Sequence, residues 1–258
     1  MTIEPLYSLA GVFVGVLVGL TGVGGGSLMT PILVLAFGFH PATAVGTDLL
    51  YAAATKTVGT TVHGWRGTLD WRIVRRLAMG SVPATIVTLL LLGRTSEHSP
   101  AMEHLLATLL GLVLIASAIA TLLRHRIVAA LTPRLGESEA HQPVWLTVLL
   151  GAVLGVMVSL TSVGAGALGM TALLVLYPRH PLKSLVGADI AHAVPLTLLA
   201  GAGHWLLGSV DLGLLGSLLI GSIPGIVVGS LLAGAIREGV LRPILAIVLA
   251  IVGVKLLL

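Results

Sequence analysis

The chain has 258 residues, 56% of them hydrophobic and 9% charged, with a mean hydropathy of +1.08. A soluble domain carries roughly 25% charged residues, so the composition excludes a soluble globular protein and calls for an integral membrane protein. The absence of cysteine excludes disulfides and thiolate metal sites. The formal charge of +4 sits in short loops, where membrane topology explains it without a nucleic-acid partner.

The N-terminal MTIEPLYSLAG has neither a basic n-region nor an A-x-A cleavage site, and reads as the start of a mature chain. The apolar run 6–39 follows. No Asp, Glu, Lys or Arg occurs from Pro5 to Thr47. At about 20 residues per crossing, 6–39 is too long for one span and too short for two with a connection. Its middle, TGVGGGS (21–27), predicts a broken helix: one half to about Leu20, a glycine turn, and a second half to about Phe39. Thr30 and Pro31 suit the N-cap and first helical residue of that second half. Full spans are predicted near 42–63, 72–92 and 101–123, followed by a polar linker, TPRLGESEAHQP, over 132–143.

The pattern then returns. GLTGVGGGSL (19–28) matches SLTSVGAGAL (159–168), VGTD (45–48) matches VGAD (186–189), and GSVP (80–83) matches GSIP (221–224). Residues 144–177 form the second broken segment, and spans follow near 182–206, 212–234 and 239–257. The chain is therefore divided into a first repeat, 1–131, the linker, expected in the cytoplasm, and a second repeat, 144–258. Duplications of this kind recur in secondary transporters, with binding sites at the repeat interface.

Positive charge favours broken segments that turn back rather than cross. If they turn back, Arg66, Arg72, Arg75, Arg76, Arg124, Arg126, Arg134, Arg179, Lys183, Arg237 and Arg242 share the cytoplasmic side, with only Arg94 and Lys255 opposite. Each repeat then contributes three crossings, so the two are inverted. The expected fold is all-α, two inverted repeats each made of a broken re-entrant helix and three transmembrane helices.

A broken helix in lipid leaves backbone groups unpaired and survives only when buried or lining a wet cavity. Helix N-termini carry partial positive charge and attract anions. The candidate substrate site is therefore built from both turns: Thr21, Gly22, Gly24, Gly25, Gly26 and Ser27 from the first, Thr161, Ser162, Gly164 and Gly166 from the second. Gly11, Gly15 and Gly19 have the spacing of a helix-packing stripe instead. Charge within a span is costly and marks function by default. Lys56, whose repeat mate is Thr197, could face an anionic substrate or snorkel to the interface. Asp48 and Asp189 are repeat mates that could carry protons or bond the nearby turn. His192, one turn beyond Asp189, could tune a proton step. His63 and His204 lie by Trp65 and Trp205 and suggest interfacial roles. Asp70 and Asp211 read as N-caps, and Pro83 and Pro224 as kinks. No metal-ligand spacing or cofactor motif is present.

The stretches GVFVGVLVGLTGVGGGSLMTPIL (11–33), HPATAVGTDLL (40–50), HGWRGTLDWRIV (63–74) and GSVP (80–83) resemble the sulfite exporter TauE/SafE family of membrane transporters. The resemblance covers nearly the whole chain. It implies a duplicated helical protein of the plasma membrane that moves sulfite, thiosulfate or sulfonates, often outward. Carry-over is firmest for Gly24, Gly25 and Gly26; the second half departs, with SVGAGALGMTAL (162–173) lacking the usual proline. The expected activity is secondary transport of a small anion, with lipid and substrate as partners, proton coupling through Asp48, Asp189 or His192, and no catalysis. A homo-oligomer is compatible with this reading. An anion channel and an intramembrane aspartyl protease using Asp48 and Asp189 are the alternatives.

Overall fold

The computed structural model describes residues 4–21, 26–65, 69–94, 100–135, 144–232 and 238–258, without the side chains of 21, 26–27, 58–59, 61–65, 230 and 238–242. Most of those residues are helical, with no strand among them. In order they form α1 (Pro5–Thr21), α2 (Gly26–Leu35), α3 (Pro41–Trp65), α4 (Trp71–Leu92), α5 (Pro100–Leu122) and α6 (Arg124–Leu135), then α7 (Val144–Thr161), a π turn (Ala165–Gly169), α8 (Met170–Leu176), α9 (Leu182–Leu206), α10 (Leu212–Leu232) and α11 (Glu238–Leu257). By length and composition α4, α5, α7, α9 and α10 are able to cross a membrane. Large apolar side chains such as Phe13, Leu90, Leu231 and Ile251 stand exposed on the outside of the bundle, which is where lipid would solvate them.

The six long spans fall within a few residues of their predicted positions, because long apolar runs are the strongest signal in a sequence. The starts of α4 and α10 are capped as expected. Asp70 Oδ1 accepts the N–H groups of Arg72 (2.9 Å) and Ile73 (3.3 Å), and Asp211 Oδ1 those of Gly213 (2.8 Å) and Leu214 (2.9 Å). Both helices run on through Pro83 and Pro224. Two features differ from expectation. α2 begins at Gly26, so Pro31 lies inside it rather than at its first position, and Thr30 turns its hydroxyl to a tertiary partner instead of capping. The polar linker is also partly helical: α6 reaches Leu135 and packs against α8.

Helices pair across the two halves in matched sets. α1 packs most extensively on α10, and their counterparts α7 and α4 pack on each other; α3 lies on α9 and α5 on α11. Small residues let these backbones meet. Gly11 and Gly15 on α1 lie against the backbone of Leu218 and Ser222 on α10, and Gly151 and Gly155 on α7 against that of Leu77 and Ser81 on α4. The numbers rise together, so each pair runs parallel. In the central pair they run opposite: Gly46 of α3 meets His204 of α9, while Gly201 of α9 meets Leu50 of α3. α3 and α9 are therefore antiparallel.

Each interrupted segment begins and ends at the same end of the bundle. The Tyr7 ring at the start of α1 packs edge-on against Phe37 and Phe39 just beyond α2, at centroid distances of 5.0 and 5.6 Å. In the second half Thr147, at the start of α7, hydrogen-bonds Tyr177 just beyond α8 at 2.7 Å. The leading limbs are longer than half a span: α1 has 17 residues and α7 has 18.

Candidate functional site

The central antiparallel pair carries the charged residues. Asp48 sits on α3 with no solvent exposure. Its Oδ2 accepts both the N–H of Thr30 (3.3 Å) and the Thr30 hydroxyl, so the carboxylate is clamped to the second limb of its own hairpin. The hydroxyl of Ser162, from the turn of the other half, faces the same carboxylate. Asp189, on α9, occupies the matching place against Gly169, whose α-carbon has its Cβ direction 3.0 Å from Asp189 Oδ1. Each aspartate is thus packed on the short limb that follows a break.

Lys56 lies two turns beyond Asp48 on α3 and interacts electrostatically with both carboxylates, with Asp189 more than with Asp48. Neither is within 4.0 Å of its ammonium group. The eight-residue offset from Asp48 corresponds to about 12 Å along a helix, and the antiparallel packing of α9 brings Asp189 in from the other side. Lys56 is partly buried, and its charge also reaches His192. Lys56 is thus placed along α3 between two buried carboxylates, and Arg124 of α6 adds a second positive charge toward Asp189.

The second turn is described in detail. Ser162 adopts φ 58° and Gly164 φ 119°. Glycine takes such a conformation without a Cβ penalty, whereas at Ser162 it is a strained backbone of the kind held at functional sites. The N–H groups of Leu168 (3.1 Å) and Gly169 (3.0 Å) converge on the carbonyl of Gly164. Those of Ala165, Gly166 and Ala167 precede the first helical bond and have no intrahelical partner. Ser162 is buried, its hydroxyl without a hydrogen bond among the described residues, while Gly166 is partly open. Thr161 departs from expectation. Its hydroxyl donates to the Met157 carbonyl (2.7 Å) and accepts from the Val163 N–H (3.2 Å), so it shapes the turn and has no proton left for an anion. Of the first turn, Gly22, Gly24 and Gly25 lie outside the described residues, and so do the side chains of Thr21, Gly26 and Ser27.

His192 is fully buried and its Nε2 is 2.8 Å from the Ser81 hydroxyl. It does not hydrogen-bond Asp189, and its Nδ1 has no partner among the described residues. His204 is not interfacial: it is fully buried and donates its Nε2–H to the carbonyl of Ser159 at 2.9 Å. The antiparallel packing of α9 on Gly46 draws the ring inward, while its neighbour Trp205 is 57% exposed. The His63 side chain lies outside the described set.

Sequence reasoning overlooked three residues. Ser81 and Ser222 stand in the paired GSVP and GSIP stretches, which were read for their prolines alone. Tyr51 is the repeat mate of His192, and its hydroxyl lies beside that of Ser222 much as His192 meets Ser81. The internal match held the signal: carried one turn past each aspartate, it pairs a tyrosine with a histidine.

The family model for the sulfite exporter TauE/SafE matches residues 7–256. "Probable membrane transporter protein YjnA" of Bacillus subtilis (strain 168) is 38% identical over 250 residues, 96% of this chain and 98% of that protein. "Probable membrane transporter protein MJ0441" of Methanocaldococcus jannaschii is 24% identical over 212 residues, 80% of this chain and 74% of that one. No solved structure matches the chain. Movement of a solute across a membrane, rather than catalysis, is what the family and these relatives share, and the apolar helices, interrupted hairpins and buried charges agree with it. The chain belongs to the sulfite exporter TauE/SafE family of membrane transporters.

Proposed function

We propose that the protein is a secondary transporter of the cell membrane that exports a small sulfur-containing anion, sulfite or a related oxyanion or organosulfonate, by alternating access. The observation that carries this reading is the placement of Lys56 between two buried carboxylates on a central helix pair flanked by two interrupted hairpins. The open N–H groups of Ala165, Gly166 and Ala167 and the hydroxyl of Ser162 would bind the anion from one half. The glycine stretch 22–26 with Ser27 would do so from the other. Lys56 supplies the positive charge, and Asp48, Asp189 or His192 couples the cycle to protons. The family name supports a sulfur anion as substrate.

Inverted repeats are supported by the antiparallel register of α3 on α9 and by hairpins whose two ends meet. Contacts also sort by side. His40 pairs with Glu103 (2.8 Å) at the end assigned outside, and Arg76 with Tyr177 (3.1 Å) at the cytoplasmic end. Rocking of one half against the other about the α3–α9 pair would open the site to each side in turn.

The test is flux in proteoliposomes loaded with labelled sulfite, with and without a pH gradient and with thiosulfate, sulfonates and chloride as competitors. Saturable efflux, accelerated by external sulfur anions through counterflow, is expected. Current without saturation or counterflow would instead mean a channel, and no movement of any sulfur anion by folded protein would remove that substrate class.

A further inference from the structure

The two halves are built alike up to one turn beyond each aspartate, and there they diverge. On α3 the order is Asp48, then Tyr51 facing Ser222 of α10. On α9 it is Asp189, then His192 facing Ser81 of α4 at 2.8 Å. One half therefore holds an imidazole, whose two ring nitrogens can accept and donate a proton, and the other a phenol with a single hydroxyl.

The polar residues beyond them differ too. From Ser81 the row continues one turn along α4 to Thr85, whose hydroxyl oxygen lies 3.3 Å from that of Ser159 on α7, the Ser159 proton being donated to the Gly155 carbonyl at 2.6 Å. Ser159 in turn receives the Nε2–H of His204 on its carbonyl, at 2.9 Å. Ser81, Thr85, Ser159, His192 and His204 each have no more than 1% exposure. In the mirror half the equivalents of Thr85 and Ser159 are Ile226 and Gly19, so the row stops at Ser222. From His192 to His204 is twelve residues, about 18 Å of helix, which carries the row from the interior to the last turn of α9, where Trp205 and Leu206 are exposed.

Buried polar side chains in a membrane interior are expensive and are retained for a task. Helix packing alone does not account for this set: Asp189 Oδ1, His192 Nδ1 and His204 Nδ1 are buried without hydrogen-bond partners among the described residues. The charged groups facing the row are few. Among the described residues, Lys56 from α3 and Arg124 from α6 face Asp189, Lys56 faces His192, and α4 and α7 bring hydroxyls.

We infer that the half built on Asp189 is the proton-carrying half, and that His204, Ser159, Thr85, Ser81 and His192 form the route by which protons reach Asp189 from the side where α9 ends. This rests on the proton-coupled reading of the transporter and deepens it. Each imidazole binds a proton on one ring nitrogen and releases one from the other, and each hydroxyl accepts one and passes on its own. One proton leaves the external solution for each carboxylate neutralised. A small rotation moves the His204 Nε2–H from the Ser159 carbonyl to its hydroxyl, the Ser159 proton turns from the Gly155 carbonyl to Thr85, one water spans the turn between Thr85 and Ser81, and a second joins His192 Nδ1 to Asp189 Oδ1, both of which lack a partner among the described residues. Asp48, clamped by Thr30 and ending in Tyr51, stays out of the cycle.

The experiment needs no substrate. Protein in lipid vesicles is followed by infrared spectroscopy, and the carboxylic-acid C=O band lost in Asp189→Asn reports that residue. After a jump in external pH the band is expected to respond about a hundredfold more slowly in His192→Gln and in the near-isosteric Thr85→Val, the scale of losing a positioned proton relay. It should be unchanged in Tyr51→Phe. The inference is overturned if Asp189→Asn removes no titrating band, if both relay variants respond at the wild-type rate, or if Tyr51→Phe slows it equally. Sulfite counterflow is measured on the same vesicles. Relay variants that still exchange sulfite are folded, so a slowed carboxyl response in them supports the route and an unchanged one overturns it; a wild type that titrates through the route yet exchanges no sulfur anion supports it also, and removes only the substrate.

Discussion

At the scale of single residues, the buried charges set what the molecule can do. A lysine inside a span needs a partner, and among the described residues Lys56 has two carboxylates at a distance and none within 4.0 Å. An anion arriving beside it would meet a cation that is not already neutralised by an ion pair. Lys56→Ala is therefore expected to lower sulfite flux by about ten- to a hundredfold, the worth of one charge-assisted hydrogen bond of about 1.5–3 kcal/mol, with Lys56→Arg recovering part of it; unaltered kcat/KM in the alanine variant would remove the lysine from the site. Thr30 makes a second case. It gives the buried Asp48 both of its hydrogen bonds. Thr30→Val keeps the shape and removes one of them, and is expected to destabilise the protein by about 1–3 kcal/mol, read as a lower midpoint in a thermal melt of the detergent-solubilised protein.

At the scale of helices, stability comes from close backbone approach, since lipid removes the hydrophobic drive between spans. Gly80 of α4 and its mate Gly221 of α10 show this. A Cβ on Gly80 would strike the carbonyl of Val148, and one on Gly221 that of Ser8. Neither neighbour is a flexible side chain, so the helices would have to separate. Gly80→Ala and Gly221→Ala are each expected to cost about 1–3 kcal/mol, as overpacking does. Gly216, on the same helix as Gly221, has nothing within 4 Å of its Cβ direction; Gly216→Ala should be neutral or stabilising by up to about 1 kcal/mol. Equal melting points for Gly216→Ala and Gly221→Ala would show that the close contacts carry no weight. The second interrupted hairpin follows a different logic: its broken backbone at 162–164 is kept inside the protein, where Ser162 holds φ 58° against its own preference.

At the scale of the whole molecule, orientation decides which side feeds the site. The chain has no cysteine, so single cysteines report sidedness without a background. Arg94→Cys should react with a membrane-impermeant thiol reagent from outside the cell, and Arg126→Cys and Lys183→Cys only after permeabilisation. All three labelled from one side would break the inverted-repeat reading; a full reversal would keep the repeats and overturn the assignment of inside and outside. On the proposed orientation α9 ends outside, and the His204 row would open outward, the direction from which protons enter a cell.

Much of this was legible in the chain because lipid imposes strong rules on composition. Apolar run length placed the six long helices, aspartates before apolar runs announced the caps at Asp70 and Asp211, and self-matching revealed the duplication, all through local signals. The break at 161–167 was legible too, since glycines in a greasy run have few other uses. What the row of residues could not tell was which groups meet across helices. The Thr30 hydroxyl looked like a cap and instead clamps Asp48. His204 looked interfacial and is buried against Ser159. Lys56 and Asp189 are far apart in sequence and become neighbours only because α3 and α9 run antiparallel. Helical periodicity states which face a residue occupies but not which helix that face will touch, and in a bundle where nearly every face is apolar, the choice is made by the fit of glycine-lined backbones rather than by pattern.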